Sequence, residues 1–306
     1  MGLSSTWLAV VLLMASGPAS AQSPREAELA PGLTRTVYVT VTDKTGSPVT
    51  DLTADDFVVK EGGKRRDVVA AAVTNVPLRI AIIVDDNGTG LFRYGVAKFI
   101  ERLQGMAEFA LSTINVQQMK LVDFTANGDE LSAAIARLVA RPAANDGGQL
   151  LEGIYDTAKD FQKRVARRPV IVALTVGGEE HSTVPAHHVL EELQKSGAAL
   201  HVIAVNSAAL RGTAVAQKPG ALLEENMNLS EVLGDGSKQT GGTRGEIVAS
   251  AGILVGLQQL AEELRSQYAV SFSRADRPKS NDKLNVSVKR GGLNVRAPAR
   301  LRLETQ

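Results

Sequence analysis

Residues 36–42 (Thr-Val-Tyr-Val-Thr-Val-Thr) alternate polar and apolar positions, the two-residue period of a strand with one buried face. A run of turn formers follows, Asp43-Lys44-Thr45-Gly46-Ser47-Pro48. Residues 57–60 and 68–73 predict two further strands, with a turn at Gly62-Gly63 between them. From residue 77 the rhythm changes. Ile80-Ala81-Ile82-Ile83-Val84 is an unbroken apolar run, which predicts a strand covered on both faces. Val96, Phe99, Ile100 and Leu103 then recur at helical spacing. Residues 109–116 and 119–124 predict two strands joined by a short polar turn. Asp129 is placed to cap a helix carrying Leu131, Ile135 and Leu138, and residues 149–164 predict another helix. Residues 170–174 and 200–205 predict two more buried strands. The helix between them carries Val189 and Leu193 and stops at Gly197. Residues 253–267 predict a long amphipathic helix with Leu254, Leu257, Leu260, Ala261 and Leu264 on its apolar side. Strands return at 268–272, 284–289 and 293–303, with a polar loop at 273–283. Residues 208–229 have weak periodicity and read as a loop or lid.

Strands alternating with helices in the middle of the chain predict an open, mostly parallel α/β sheet. A few flanking strands cannot bury a core alone. The strands at the two ends are therefore expected to join in one small β-sandwich with the α/β unit inserted; the alternative is two separate β appendages. This divides the chain into residues 1–22, 33–76, 77–267 and 268–306.

Composition narrows the function. The 306 residues carry a net charge of +1, so no global field steers the chain to nucleic acid. Without a cysteine there is no disulfide scaffold, Cys-ligated zinc, iron–sulfur cluster or thiol chemistry. Residues 1–22 read as a signal peptide. An apolar run from Trp7 to Ala15 is broken by Gly17-Pro18 and followed by Ala19-Ser20-Ala21, a small-residue cleavage pattern, although no Lys or Arg precedes the run. The expectation is a secreted or periplasmic protein with no membrane span in the mature chain; the alternative is a retained N-terminal anchor.

In an open α/β sheet, ligands bind beyond the carboxyl ends of the strands. Strand 80–84 runs there into Asp85-Asp86-Asn87-Gly88-Thr89-Gly90. This loop resembles the Asp-x-Ser-x-Ser loop of von Willebrand factor type A domains, and Pro77-Leu78-Arg79 leads into the strand as in that family. The chain resembles more specifically the bacterial secreted proteins related to that domain. The segments that carry this resemblance are Val39-Thr40-Val41-Thr42-Asp43, Gly46-Ser47-Pro48-Val49, Leu52-Thr53, Asp55-Asp56-Phe57-Val58-Val59, Thr240-Gly241-Gly242 and Leu264-Arg265-Ser266-Gln267-Tyr268. The resemblance implies a Rossmann-like von Willebrand A domain, a mostly parallel sheet flanked by helices, inserted in or flanked by a small β-sandwich built from the N- and C-terminal strands.

In that family the loop is a metal-ion-dependent adhesion site. One Asp and two hydroxyls of the first loop, a Thr of the second and an Asp of the third hold a divalent cation, and the partner's carboxylate completes the shell. Carried over, the metal residues here are Asp85, Asn87 and Thr89, with Asn87 and Thr89 standing where serines are expected. The second loop reads Gly147-Gly148-Gln149 in place of Gly-Gly-Thr. The third reads Leu174-Thr175-Val176-Gly177 in place of Leu-x-Asp-Gly. One carboxylate of two and one hydroxyl of three remain. Mg²⁺ demands near-octahedral oxygen and gives up water reluctantly, so the expectation is a degenerate site with no resident cofactor, Mg²⁺ being the alternative. A rebuilt site would draw on Asp86, Glu179, Glu180 and His181; otherwise these are solvated loop charges.

Other patterns carry less. His187 and His188 are adjacent, so on a helix they point about 100° apart. Gly234-Asp235-Gly236-Ser237-Lys238 lacks phosphate-loop spacing and reads as a plain loop. Lys64-Arg65-Arg66 and residues 164–168 read as solvated basic faces. The resulting expectation is a secreted, non-enzymatic protein-interaction or adhesion module, metal-independent, with an unidentified protein partner. One alternative is a structural part of a cell-envelope assembly, contacting it through the sandwich. Another is a metal-assisted hydrolase using Asp85, Asp86 and His181, for which the sequence supplies no nucleophile paired with a base.

Overall fold

Continuous apolar runs make strands that are covered on both sides, and the central sheet is built from them. In the computed structural model, which describes residues 34–139, 148–178, 180–205, 223–273 and 283–301, β5 (Leu78–Asp85), β8 (Pro169–Thr175) and β9 (Ala199–Val205) lie parallel at its centre. All seven residues of β8 are buried. With β6 (Ala107–Asn115), β7 (Gln117–Thr125) and β10 (Arg244–Ile247), the order is β10-β9-β8-β5-β6-β7, and β7 is the antiparallel edge. The two-residue pleat sends alternate side chains of β5 into two cores. Ile80, Ile82 and Val84 meet α1 (Arg93–Leu103), α2 (Gly128–Ala136) and α6 (Ser250–Arg265) on one face. Ala81 and Ile83 meet α3 (Leu150–Lys163) and α4 (Ala186–Ser196) on the other.

The strands outside this sheet pair across the two ends of the chain. β1 (Thr34–Thr42) runs antiparallel to β11 (Tyr268–Ser273), with Thr34 opposite Ser273. β4 (Val68–Val73) and β13 (Asn294–Arg296) complete that sheet. A second sheet joins β2 (Phe57–Glu61) to β3 (Lys64–Arg66) and to β12 (Leu284–Val288). Val37, Val39 and Val270 from the first sheet and Phe57, Val59 and Leu284 from the second form one apolar core.

A buried cation fastens this β unit to the α/β unit. Arg168, 3% exposed, donates to the carbonyls of Val76 and Leu264 and to Oε1 of Gln267, and its guanidinium lies 5.4 Å from the Tyr38 ring centroid. Gln267 Nε2 in turn donates to Thr40 Oγ1 at 3.1 Å. The chain therefore enters the α/β unit at Val76 and leaves it at Gln267 through one hydrogen-bonded knot. The Thr240-Gly241-Gly242 segment is a second fastening. A Cβ on Gly241 would lie 2.8 Å from the backbone of Ala297 and Pro298, and one on Gly242 would lie 1.9 Å from the Leu200 carbonyl oxygen.

Several local expectations change. The cap of α2 is Asn127, whose Oδ1 accepts from Asp129 N at 2.9 Å; Asp129 is inside the helix and Leu138 beyond it. The β6–β7 connection is Val116 alone, at φ +66°. Residues 234–238 are helical rather than a loop: α5 (Leu223–Ser230) continues through a π turn at Glu231–Gly236 into Ser237–Gln239. Gly236 packs close to α4 there: a Cβ would meet the end of the Leu190 side chain at 2.7 Å. The last strand covers only Asn294–Arg296. Of the basic run 164–168, Arg168 is a buried clamp, while Arg164 pairs with Asp123 and Asp160. The expected signal peptide, Gly147 and Glu179 lie outside the described residues. Among the described residues, no helix is long and apolar enough to cross a membrane.

Candidate functional site

The carboxyl end of β5 delivers Asp85 beside Thr175 of β8, its partner in the sheet register. Thr175 Oγ1 donates to Asp85 Oδ2 at 2.7 Å and accepts from Gly177 N at 2.9 Å. The backbone follows the same path, with Val176 N donating to the Asp85 carbonyl at 3.0 Å. One oxygen of the only first-loop carboxylate carried over from the adhesion motif is thus held by a neutral hydroxyl from the third loop.

Asp86 organises the loop from within. It is 1% exposed, and its carboxylate accepts from Gly88 N at 3.0 Å and from Gly90 N at 2.7 Å. Its carbonyl accepts from Thr89 N at 3.0 Å. The tight curl needs left-handed backbone at Asn87 (φ +48°), Gly88 (+77°) and Gly90 (+69°). Glycine adopts this freely, and Asn tolerates it better than most residues. Thr89 is exposed, and its hydroxyl accepts from Leu91 N at 3.3 Å.

The second loop approaches through Gly148, where a Cβ would lie 3.4 Å from Asp85 Oδ1 and 2.8 Å from Ile114. Gly148 forms a parallel bridge with Glu180, and its carbonyl accepts from His181 N at 2.8 Å. Glu180 is buried and caps α3. Its carboxylate accepts from Leu150 N at 3.2 Å, Leu151 N at 3.4 Å and Ser182 N at 3.1 Å. Burial pushes the Glu180 carboxyl above its ordinary range, against the opposing pull of those hydrogen bonds. Asp86 and Glu180 are therefore buried backbone ligands and not solvated loop charges. Val176, where the motif has Asp, is 0% exposed and belongs to the same core as Val84, Phe92 and Leu174.

The structure brings Asp85, Asn87 and Thr89 onto one loop and sets the main chain of His181 beside it through Gly148. Among the described residues, no group of three or more His, Asp or Glu is arranged to hold a metal ion. The donors at the motif positions are the Asp85 carboxylate, the Asn87 amide and the Thr89 hydroxyl, with the Thr175 hydroxyl already on Asp85 Oδ2; a set with this single carboxylate does not fit the oxygen shell of Mg²⁺. Sequence reasoning missed Thr175. Its signal was the position directly before Val176, which the sheet register places against Asp85.

No protein-family profile matches the sequence, and no curated protein matches it. Among solved structures, proximal thread matrix protein 1 from the mussel byssus, described with a zinc-occupied MIDAS motif, is 12% identical with a TM-score of 0.48 over 67% of this chain. This chain spans half of that protein's length. A von Willebrand factor type A protein from Catenulispora acidiphila is 12% identical with a TM-score of 0.48, covering 90% of this chain and 75% of its own. BatB from Bacteroides thetaiotaomicron is 13% identical with a TM-score of 0.41, covering 61% of this chain and 98% of its own. At such identities the likeness is one of fold alone. The sheet order β10-β9-β8-β5-β6-β7, with helices on both faces and the curled loop at the carboxyl end of β5, is an open, mostly parallel α/β sheet.

Proposed function

We propose that the chain is an exported, non-enzymatic protein-interaction module that engages its partner along the loop edge at residues 85–91 without a divalent cation. The observation that carries this reading is the internal use of the loop's acids. Asp85 Oδ2 is held by Thr175, both Asp86 oxygens accept backbone amides, and Val176 fills the core. A carboxylate committed to two backbone amides is also a poor general base, which speaks against the hydrolase alternative. The same end of the sheet carries exposed apolar side chains. Tyr94 in the first turn of α1, Val248 after β10 and Val255 in α6 are 63%, 73% and 61% exposed. The two helices are held close there because Gly95 lies against Ile253 and Leu257. Apolar side chains beside exposed polar loops are the composition of a recognition surface.

The test is quantitative capture of envelope and extracellular proteins from the source cells on the immobilised chain, in EDTA and in Mg²⁺. The expected result is one partner recovered equally in both and lost with the Val248→Glu/Val255→Glu double variant. Capture that requires Mg²⁺ and disappears in Asp85→Ala contradicts the proposal.

A further inference from the structure

At the end of the sheet remote from this loop edge, a cavity of about 970 Å³ opens at the seam between the two units. Its walls are the start of β1, the segment leading into β8, the later turns of α4, and residues 239–241 and 298–301. Four arginines line it: Arg35, Arg167, Arg168 and Arg300. Arg35 is paired with Glu61, and Arg168 donates to neutral acceptors only. Among the described residues, Arg167 and Arg300 have no carboxylate partner, and Arg300 Nε is buried with no hydrogen-bond acceptor. Glu191, the one carboxylate among the described lining residues, is held by Lys195 at 2.9 Å. Among the described residues, the cavity therefore carries positive charge without a matching carboxylate. Arg167 is exposed, but the half-buried Arg300 guanidinium is costly to leave without an anion, and a bound carboxylate relieves that cost.

The rest of the lining is apolar enough to hold a chain. Tyr38, Leu190, Leu193 and Leu301 contribute walls, and Val165 stands at the rim, 66% exposed and in the left-handed region at φ +50°. A largely apolar concavity with a few convergent polar groups is the usual form of a small-ligand site. We propose that this cavity binds a small amphiphilic anion, an apolar chain bearing a carboxylate, with its head at Arg167 and Arg300 and its chain along Tyr38 and Leu190. Arg168 stays in its structural role at the seam.

The experiment is calorimetric titration of the full chain with decanoate, acetate and decyltrimethylammonium. One saturable decanoate site is expected, with acetate and the cationic amphiphile at least about tenfold weaker. Arg300→Gln weakens decanoate about tenfold, the scale of one charge-assisted hydrogen bond. Arg167→Glu does the same from an exposed position, where folding is not at stake. Absence of a saturable decanoate site, equal binding of the cation, or unchanged affinity in both variants overturns the proposal.

Discussion

His201 makes the fold acid-sensitive. It sits in β9 at 1% exposure, its Nδ1 is 3.1 Å from Thr243 Oγ1, and its Nε2 has no hydrogen-bond partner among the described residues. Burial, and then the positive charge of Arg296, lower its pKa from 6.5 to about 3. Arg296 is itself ion-paired with Glu263 across the seam. A proton therefore binds the unfolded chain more readily than the folded one. The neutral ring's contribution is complete above pH 6.5 and is lost as the pH falls toward 3. Linkage between those two values gives a loss of about 2 kcal/mol at pH 5 and about 3 kcal/mol at pH 4. Glu180 and Glu263 act with the opposite sign, because burial raises their pKa values and protonation favours the folded state. The comparison is therefore with His201→Asn, which does not titrate and keeps a polar contact for Thr243. Urea unfolding at pH 7.5 and pH 5.0 is the assay. The native chain should lose about 2 kcal/mol more than the variant over that interval. Parallel losses in the two proteins would refute the assignment of a neutral, buried His201.

Three further substitutions test the local arguments. Gly242→Ala drives a methyl to within 1.9 Å of the Leu200 carbonyl oxygen. It should destabilise by about 3 kcal/mol or more, read from the urea midpoint; a cost below 1 kcal/mol would contradict that close approach. Val176→Asp restores the acid of the adhesion motif but places it in the apolar core, so it should cost about 3–5 kcal/mol and create no Mn²⁺ site by calorimetry. A stable variant that binds Mn²⁺ would show that the third loop turns outward. Val165→Gly relieves a left-handed valine and should stabilise by about 1 kcal/mol. A lower melting temperature would contradict the strain.

Legibility followed the physics of burial. The runs 80–84, 170–174 and 200–205 were readable because strands covered on both faces must be apolar throughout. β3 was not, because Lys64-Arg65-Arg66 is a polar strand held by pairing with Val59–Glu61 and has no apolar face of its own. The helix through Gly234 and Gly236 was hidden by glycine's poor helical propensity. Arg168 looked like one cation in a solvated run, since its partners at Val76, Leu264 and Gln267 lie about a hundred residues away in either direction. The segments that carried the family resemblance prove to be scaffold. Asp43 closes its turn on Thr45 and Ser47, Tyr268 receives the Leu52 amide at 3.0 Å, and Gln267 and Gly241-Gly242 fasten the seam. The site itself was legible as a deficit of acids. How Asp86 and Thr175 occupy what remains depends on backbone curvature and sheet register, which no residue pattern states.

The central claim, that the loop edge holds no divalent cation, is tested most directly by calorimetric titration of Mg²⁺, Mn²⁺ and Ca²⁺ into the full chain beside Asp85→Ala. The account predicts no saturable heat from any of the three, in either protein. A one-to-one isotherm that vanishes in Asp85→Ala would contradict it.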